Sequence, residues 1–286
     1  MSFEPLPDAL KIESIFHPTD FSKASEVAFH HALKTALVTR AKFSILHVSA
    51  GANSEWQDFP AVRDSLERWG LIPKDSPKRA VTELGLDVRK VEAYGRDPVK
   101  ACLGFLEKHP ADLIVLAVHR RAGKTRWLGD SVGEPIARHA GQMTLFVPSG
   151  VSGFVSQDGT VALRRILVPI AAKPRPQPAI EAVRRIISAL HLPDGEVTLL
   201  HVGSADDAPA VTFPDVGGWT WQHTTRQGDV TESILDAASA IPADLVVMTT
   251  EGRHGFLDAL RGSTSEQVLR RIKCPLLSLP AGSLLG

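Results

Sequence analysis

The sequence predicts an α/β protein made of two tandem units, each a five-stranded, mostly parallel sheet flanked by helices. The first observation is that the chain of 286 residues repeats itself. Pro-Ala-Asp-Leu stands at 110–113 and again at 242–245, and the register holds without a gap as far as Pro148 and Pro280. Within that span Gly123 falls on Gly255, Glu134 on Glu266 and Arg138 on Arg270. Earlier in each copy "SIFHPTDFS" (14–22) matches "RILVPIAAK" (165–173), and "FSILHVSA" (43–50) matches "VTLLHVGS" (197–204), with His47 on His201. Chance explains one such match but not four in the same order, so the chain is a tandem duplication. The second observation is that short apolar runs alternate with segments of helical period, the pattern of a parallel sheet covered on both faces.

In the first copy "SIFHP" reads as a buried strand, and 23–38 has apolar residues at helical spacing, with Ser22 or Ser25 able to cap its start. "KFSILHV" is the second strand, and a long polar insert runs from about 50 to 82. "DVRKVEAY" is the third strand, and Asp97-Pro98 opens a helix with a capping side chain and a proline at its first position. "DLIVLAV" is the fourth, a loop over 117–130 leads to a helix near 131–140, and "MTLFVP" is the fifth. The second copy repeats this from 165 to 280, with a shorter segment near 204–218 in place of the insert. The units are therefore placed at 1–149 and 165–286, joined by a Gly- and Ser-rich linker over 150–164 with a small hairpin at Asp158-Gly159.

Composition narrows the function. The apolar share is 43%, the charged share 22% and the formal net charge zero, so nothing in bulk draws the chain to nucleic acid or an anionic membrane. No run approaches the roughly 20 apolar residues of a membrane span. The N-terminal stretch lacks the pattern of a secretory leader, and the two cysteines, Cys102 and Cys274, have no metal-type spacing. A cytoplasmic location is the expectation.

The loop after each fourth strand carries the chemistry. In the second copy Gly252 is followed after nine residues by Gly262 and Ser263 at the start of a helix, with Thr249 three positions before Gly252. Glycine lets backbone approach a phosphate without a Cβ, and free amides at a helix N-terminus point at the anion. Ser263, Thr264 and Ser265 add hydroxyls, and Arg253 and His254 add charge. In the first copy Ala117, Arg120 and Asp130 stand at the places of Thr249, Gly252 and Gly262, before Ser131.

Pattern and order resemble the universal stress protein family, once per half and over nearly the whole chain. That family's nucleotide signature is G-x2-G-x9-G-[ST], from which the second copy departs only at Thr249. The resemblance implies an adenine-nucleotide alpha-hydrolase-like, Rossmann-like fold. It also implies that "TLFV" (144–147) and "LLSL" (276–279) pair across a pseudo-twofold axis, making the chain an intramolecular pseudo-dimer. It implies ATP or AMP, with Mg2+ accompanying ATP, bound mainly by the second unit through Pro169, Ile170, Ala171, Val202, Thr249, Gly252, Arg253, Gly262, Ser263, Thr264 and Ser265. A weaker first site would use Asp20, Val48 and Ser131. The family's nucleoside-side aspartate is matched by Asp20 but replaced by Ala171 in the second copy, so each half keeps a different part of the site.

Other features read more plainly. "AGKT" (122–125) is not a phosphate-loop motif, because the required first glycine would be Val118. The basic cluster His119, Arg120, Arg121, Lys124 and Arg126 reads as a solvated loop face, and the resemblance, through the Leu-His-Val of each second strand, implies that His47 and His201 are structural. Asp112 and Asp244 start the fourth strands and satisfy backbone there. No Ser-His-Asp or paired-carboxylate arrangement is visible, so the expected role is regulatory nucleotide binding in a stress response, with hydrolysis slow at most. The alternative is a protein-interaction scaffold whose two sites have both decayed. Pairing with a second copy stays open.

Overall fold

β-Branched and leucine-rich runs bounded by polar residues have one stable use in this chain, as strands buried on both faces. A computed structural model describes residues 12–49, 60–119, 136, 142–250 and 264–281. Ten strands form one sheet: β1 (Ser14–Thr19), β2 (Lys42–Ser49), β3 (Asp87–Tyr94), β4 (Leu113–Val118), β5 (Met143–Pro148), β6 (Arg165–Ile170), β7 (Gly195–Val202), β8 (Trp219–Arg226), β9 (Leu245–Thr250) and β10 (Leu276–Pro280). Their order is β3-β2-β1-β4-β5-β10-β9-β6-β7-β8. Within each half every pairing is parallel, and the halves join where β5 and β10 run antiparallel, with Leu145 opposite Leu277 and Ser278 opposite Thr144. The expected seam between the two fifth strands is therefore present.

Seven helices are described: α1 (Lys23–Thr39), α2 (Val62–Arg68), α3 (Arg79–Glu83), α4 (Pro98–Lys108), α5 (Gln177–Ala189), α6 (Val230–Ala240) and α7 (Thr264–Arg271). Ser22 caps α1 through the amide of Ser25, and Asp97 caps α4 through that of Lys100, with Pro98 at the first position. Alternation along the strands separates two cores. Ile15, Ile45, Leu199 and Val247 pack with Phe29, Leu33 and Val183 of α1 and α5. Phe16, Leu46, Leu200 and Met248 pack with Cys102, Ile234 and Val268 of α4, α6 and α7. Both cysteines are buried, and burial pushes the Cys102 thiol up to about 12, which keeps it unreactive.

The structure departs from the sequence reading in the insert, where α2 and α3 form over residues read only as polar. Helices of seven and five residues carry too few turns to show a period, and α2 gains its stability by burying Val62 and Leu66. Residues 50–59, in the same insert, lie outside the described set, as does all but Ile136 of the helix expected near 131–140.

The linker hairpin forms, with Val155 bridged to Val161. It is strapped to the first half by His31 of α1, whose Nε2 accepts the backbone N–H groups of Phe154 (3.0 Å) and Val155 (3.2 Å). Gly153, at φ 69°, has no Cβ to collide with that ring. Trp69 donates its indole N–H to the Gln157 carbonyl at 3.0 Å.

The recurring aspartates do what their position requires. Asp112 Oδ2 accepts the amides of Glu13 and Ser14 at 2.9 Å, and Asp244 Oδ2 accepts those of Arg164 (3.0 Å) and Arg165 (2.9 Å). Asp244→Ala leaves those donors without a protein acceptor, so a loss of about 1–3 kcal/mol is expected in denaturant unfolding.

Candidate functional site

In a parallel sheet, ligands collect beyond the carboxyl ends of the strands, where the chain switches from building on one side of its first strand to the other. Strand order puts that point between β1 and β4 in the first half and between β6 and β9 in the second.

In the second half the lip over β6 is small. Pro169 is half-buried, Ile170 is buried, and Ala171 and Ala172 beyond it are exposed. Val202 ends β7 one strand away, half-buried. Across the crevice β9 ends at Thr249 and Thr250, and Thr250 hydrogen-bonds the Leu279 carbonyl at 3.4 Å. Helix α7 opens with Thr264 and Ser265, both half-buried, and Glu266, buried at 2% exposure, pairs with Arg270 one turn on. The structure thus brings Pro169, Ile170, Ala171, Val202 and Thr249 to the carboxyl edge, with α7 following the β9 loop. Gly252, Arg253, Gly262 and Ser263 lie outside the described residues, as does Ser131.

The first half has the same frame but a different crossing. Asp20 follows β1 and His119 follows β4, and His119 Nε2 lies 2.8 Å from Asp20 Oδ2, spanning the crevice. Burial raises the Asp20 carboxyl. Hydrogen bonds from Ser22 and His119 and the charge of His119 outweigh that and hold it below the usual range. His119 is exposed, in keeping with a solvated face, and the fold adds a partner that the sequence does not show: Asp20 lies 99 residues away in the chain, and only the β1–β4 neighbourhood brings the two together. The rest of that cluster lies outside the described residues.

Val48 is half-buried at the tip of β2, and His47 beside it directs Nδ1 to the Thr19 carbonyl at 2.8 Å while Phe21 stacks on its ring at 4.0 Å. His201 does the same for Ile170 at 3.5 Å, so both histidines tie second strands to first strands, the structural role that the family resemblance implied. Phe21 is replaced by Ala172 in the second half, which leaves that lip without a ring.

Among the described residues no group of three or more His, Cys, Asp or Glu side chains is placed to hold a metal ion, and no helix is long and apolar enough to cross a membrane.

Fold and strand order together define a tandem α/β protein with a crevice at the strand carboxyl ends of each half. The sequence model of the universal stress protein family matches residues 11–148 and 214–280, and the chain belongs to that family. A universal stress protein from Archaeoglobus fulgidus is similar over 93% of this chain and 95% of its own, at 17% identity and a TM-score of 0.59, which shows the shared fold. The universal stress protein E homolog of Haemophilus influenzae is 41% identical over 58 residues, and that match spans only 20% of this chain and 19% of the relative. A family member from Arabidopsis thaliana, solved with AMP bound, is similar over 41% of this chain and 90% of its own, at 19% identity and a TM-score of 0.28.

Proposed function

We propose that the chain is a regulatory protein of the stress response whose second unit, 165–286, binds an adenine nucleotide, ATP or AMP, in the crevice between β6 and β9. Pro169, Ile170, Ala171 and Val202 form the nucleoside side. Thr249, Gly252, Arg253, Gly262, Ser263, Thr264 and Ser265 form the phosphate side, and Mg2+ accompanies ATP through the phosphates. The observation that carries this reading is the difference between the two crevices. Small side chains, Ala171 and Ala172, rim the second, whereas the Asp20–His119 pair crosses the first. A nucleotide entering the first has to displace that pair, and one entering the second meets no such side-chain bridge from β6.

Binding in such a crevice needs no catalytic group, and the role assigned is binding and not turnover. The expected result is a saturable heat of binding for ATP or AMP, with a rise in melting temperature set by ligand concentration over Kd. A titration to millimolar nucleotide, with and without magnesium, that gives neither heat nor a melting shift would remove this reading and leave the scaffold alternative.

A further inference from the structure

The sheet ends in two edge strands, β3 in the first half and β8 in the second, which the duplication makes equivalent. Lys42 of β2 stands opposite Asp87, and its counterpart Glu196 of β7 stands opposite Thr220, so the two edges can be compared position by position. The first edge carries Asp87, Arg89, Lys90 and Glu92. The second has Thr220, Gln222, His223 and Thr225 in those places, and no Lys, Arg, Asp or Glu stands from Trp219 to Thr225. Charges along an edge strand keep it from pairing with another chain, so one edge is guarded in this way and the other is not. The unguarded strand also has the aromatic and β-branched composition that suits a ladder.

Its backbone is open on the outer side. Gly195 and Gly203 donate to the carbonyls of Gly218 and Arg226 at 3.2 and 2.8 Å, so the even residues of β8 turn their backbone groups towards β7. Successive residues of a strand direct these groups to opposite sides, which leaves the N–H and C=O of Trp221, His223 and Thr225 pointing away from the sheet. Among the described residues β8 is the last strand, and Thr220, Gln222, His223 and Thr225 are exposed. The chain already joins two equivalent edges in its middle. Leu145 and Leu277 hold the same place in the two copies, and they face each other in the antiparallel β5–β10 seam.

We infer that β8 is a docking edge for a second copy of this chain, which adds its own β8 antiparallel across a twofold axis at Gln222 and so continues the sheet. Such a contact uses the same patch on both copies and closes at two. In this register Trp221 of one copy and His223 of the other exchange backbone hydrogen bonds. Gln222 faces Gln222 and Thr220 faces Thr224, pairs that set no like charges opposite each other.

The test uses the full chain without nucleotide, its mass measured by sedimentation equilibrium at neutral pH. A single-strand interface is small, so the mass should rise from one copy to two over about 1–300 µM. His223→Pro removes an outward N–H and no bond to β7, and should weaken pairing by about tenfold or more with the circular dichroism spectrum kept. Gln222→Cys should give a disulfide-linked dimer on mild oxidation, because the Cα atoms of a directly opposed, non-hydrogen-bonded pair lie about 4.5 Å apart. Thr220→Cys, set opposite Thr224, should not. Both native cysteines are buried and do not compete. A chain that stays monomeric at the highest concentration, or a mass that grows past two copies, would overturn the proposal. So would a His223→Pro protein that pairs as well as the unmodified one, or equal cross-linking in the two cysteine variants. None of these results depends on whether nucleotide binds the second unit.

Discussion

Gly262→Asp is expected to lower nucleotide affinity by two to three decades, to the point where a calorimetric titration at ordinary concentrations shows no saturation. The substitution copies the first repeat, where Asp130 stands at the matching position. Two effects act together. The new Cβ stands where backbone is meant to approach a phosphate, and the new carboxylate carries a like charge to the same place. At about 4 Å and an effective dielectric near 20, two unit charges repel by about 4 kcal/mol, and each 1.4 kcal/mol is a factor of ten in Kd. Gly262→Ala separates the two contributions, since it adds the Cβ and no charge, and it should retain measurable binding. Affinity in Gly262→Asp equal to that of the unmodified protein would sink the assignment of the phosphate side, whatever the protein binds elsewhere.

The two halves also explain why the sheet was legible in the sequence and the site only in part. A strand buried on both faces is written as an unbroken apolar run, and "DLIVLAV" and "DLVVMT" can be read as nothing else in a duplicated α/β chain. The seam was placed by the family resemblance and not by any local pattern, and the sheet bears it out, with β5 and β10 side by side and antiparallel. Pairings that depend on distant segments carry no such mark. His119 looked like one cation in a basic loop until the sheet set it beside Asp20. His31 gave no signal beyond a histidine on a helix. Its role shows only when the linker, with Gly153 giving way to its ring, lies across it.

That buried histidine and the buried His17 of β1 set how the fold responds to acid. Burial holds both rings down, to about 4 from the ordinary 6.5, against the pull of the carbonyls of Val27 and Val115. His31 donates from Nδ1 to Val27 at 2.8 Å and uses Nε2 to accept two linker amides, so a second proton would face two N–H donors. His17 donates to Val115 at 2.9 Å and has no partner for Nε2. Between pH 6.5 and 4 the unfolded chain binds these protons and the folded chain does not. Stability is therefore complete above 6.5 and falls with pH through that window by about 1.4 kcal/mol per unit for each ring. Over the interval from pH 6.5 to 5 the two together are expected to cost about 3 kcal/mol, a large part of the few kcal/mol that separate most folded domains from unfolding. The second half has Val168 in place of His17. His17→Val should therefore remove one ring's share, about 1.5 kcal/mol of the difference between pH 6.5 and 5 in denaturant unfolding. His31 would keep its own share, because the linker amides still need its unprotonated Nε2. A His17→Val protein as acid-sensitive as the unmodified chain would show that His17 is not the neutral, buried ring its surroundings make it.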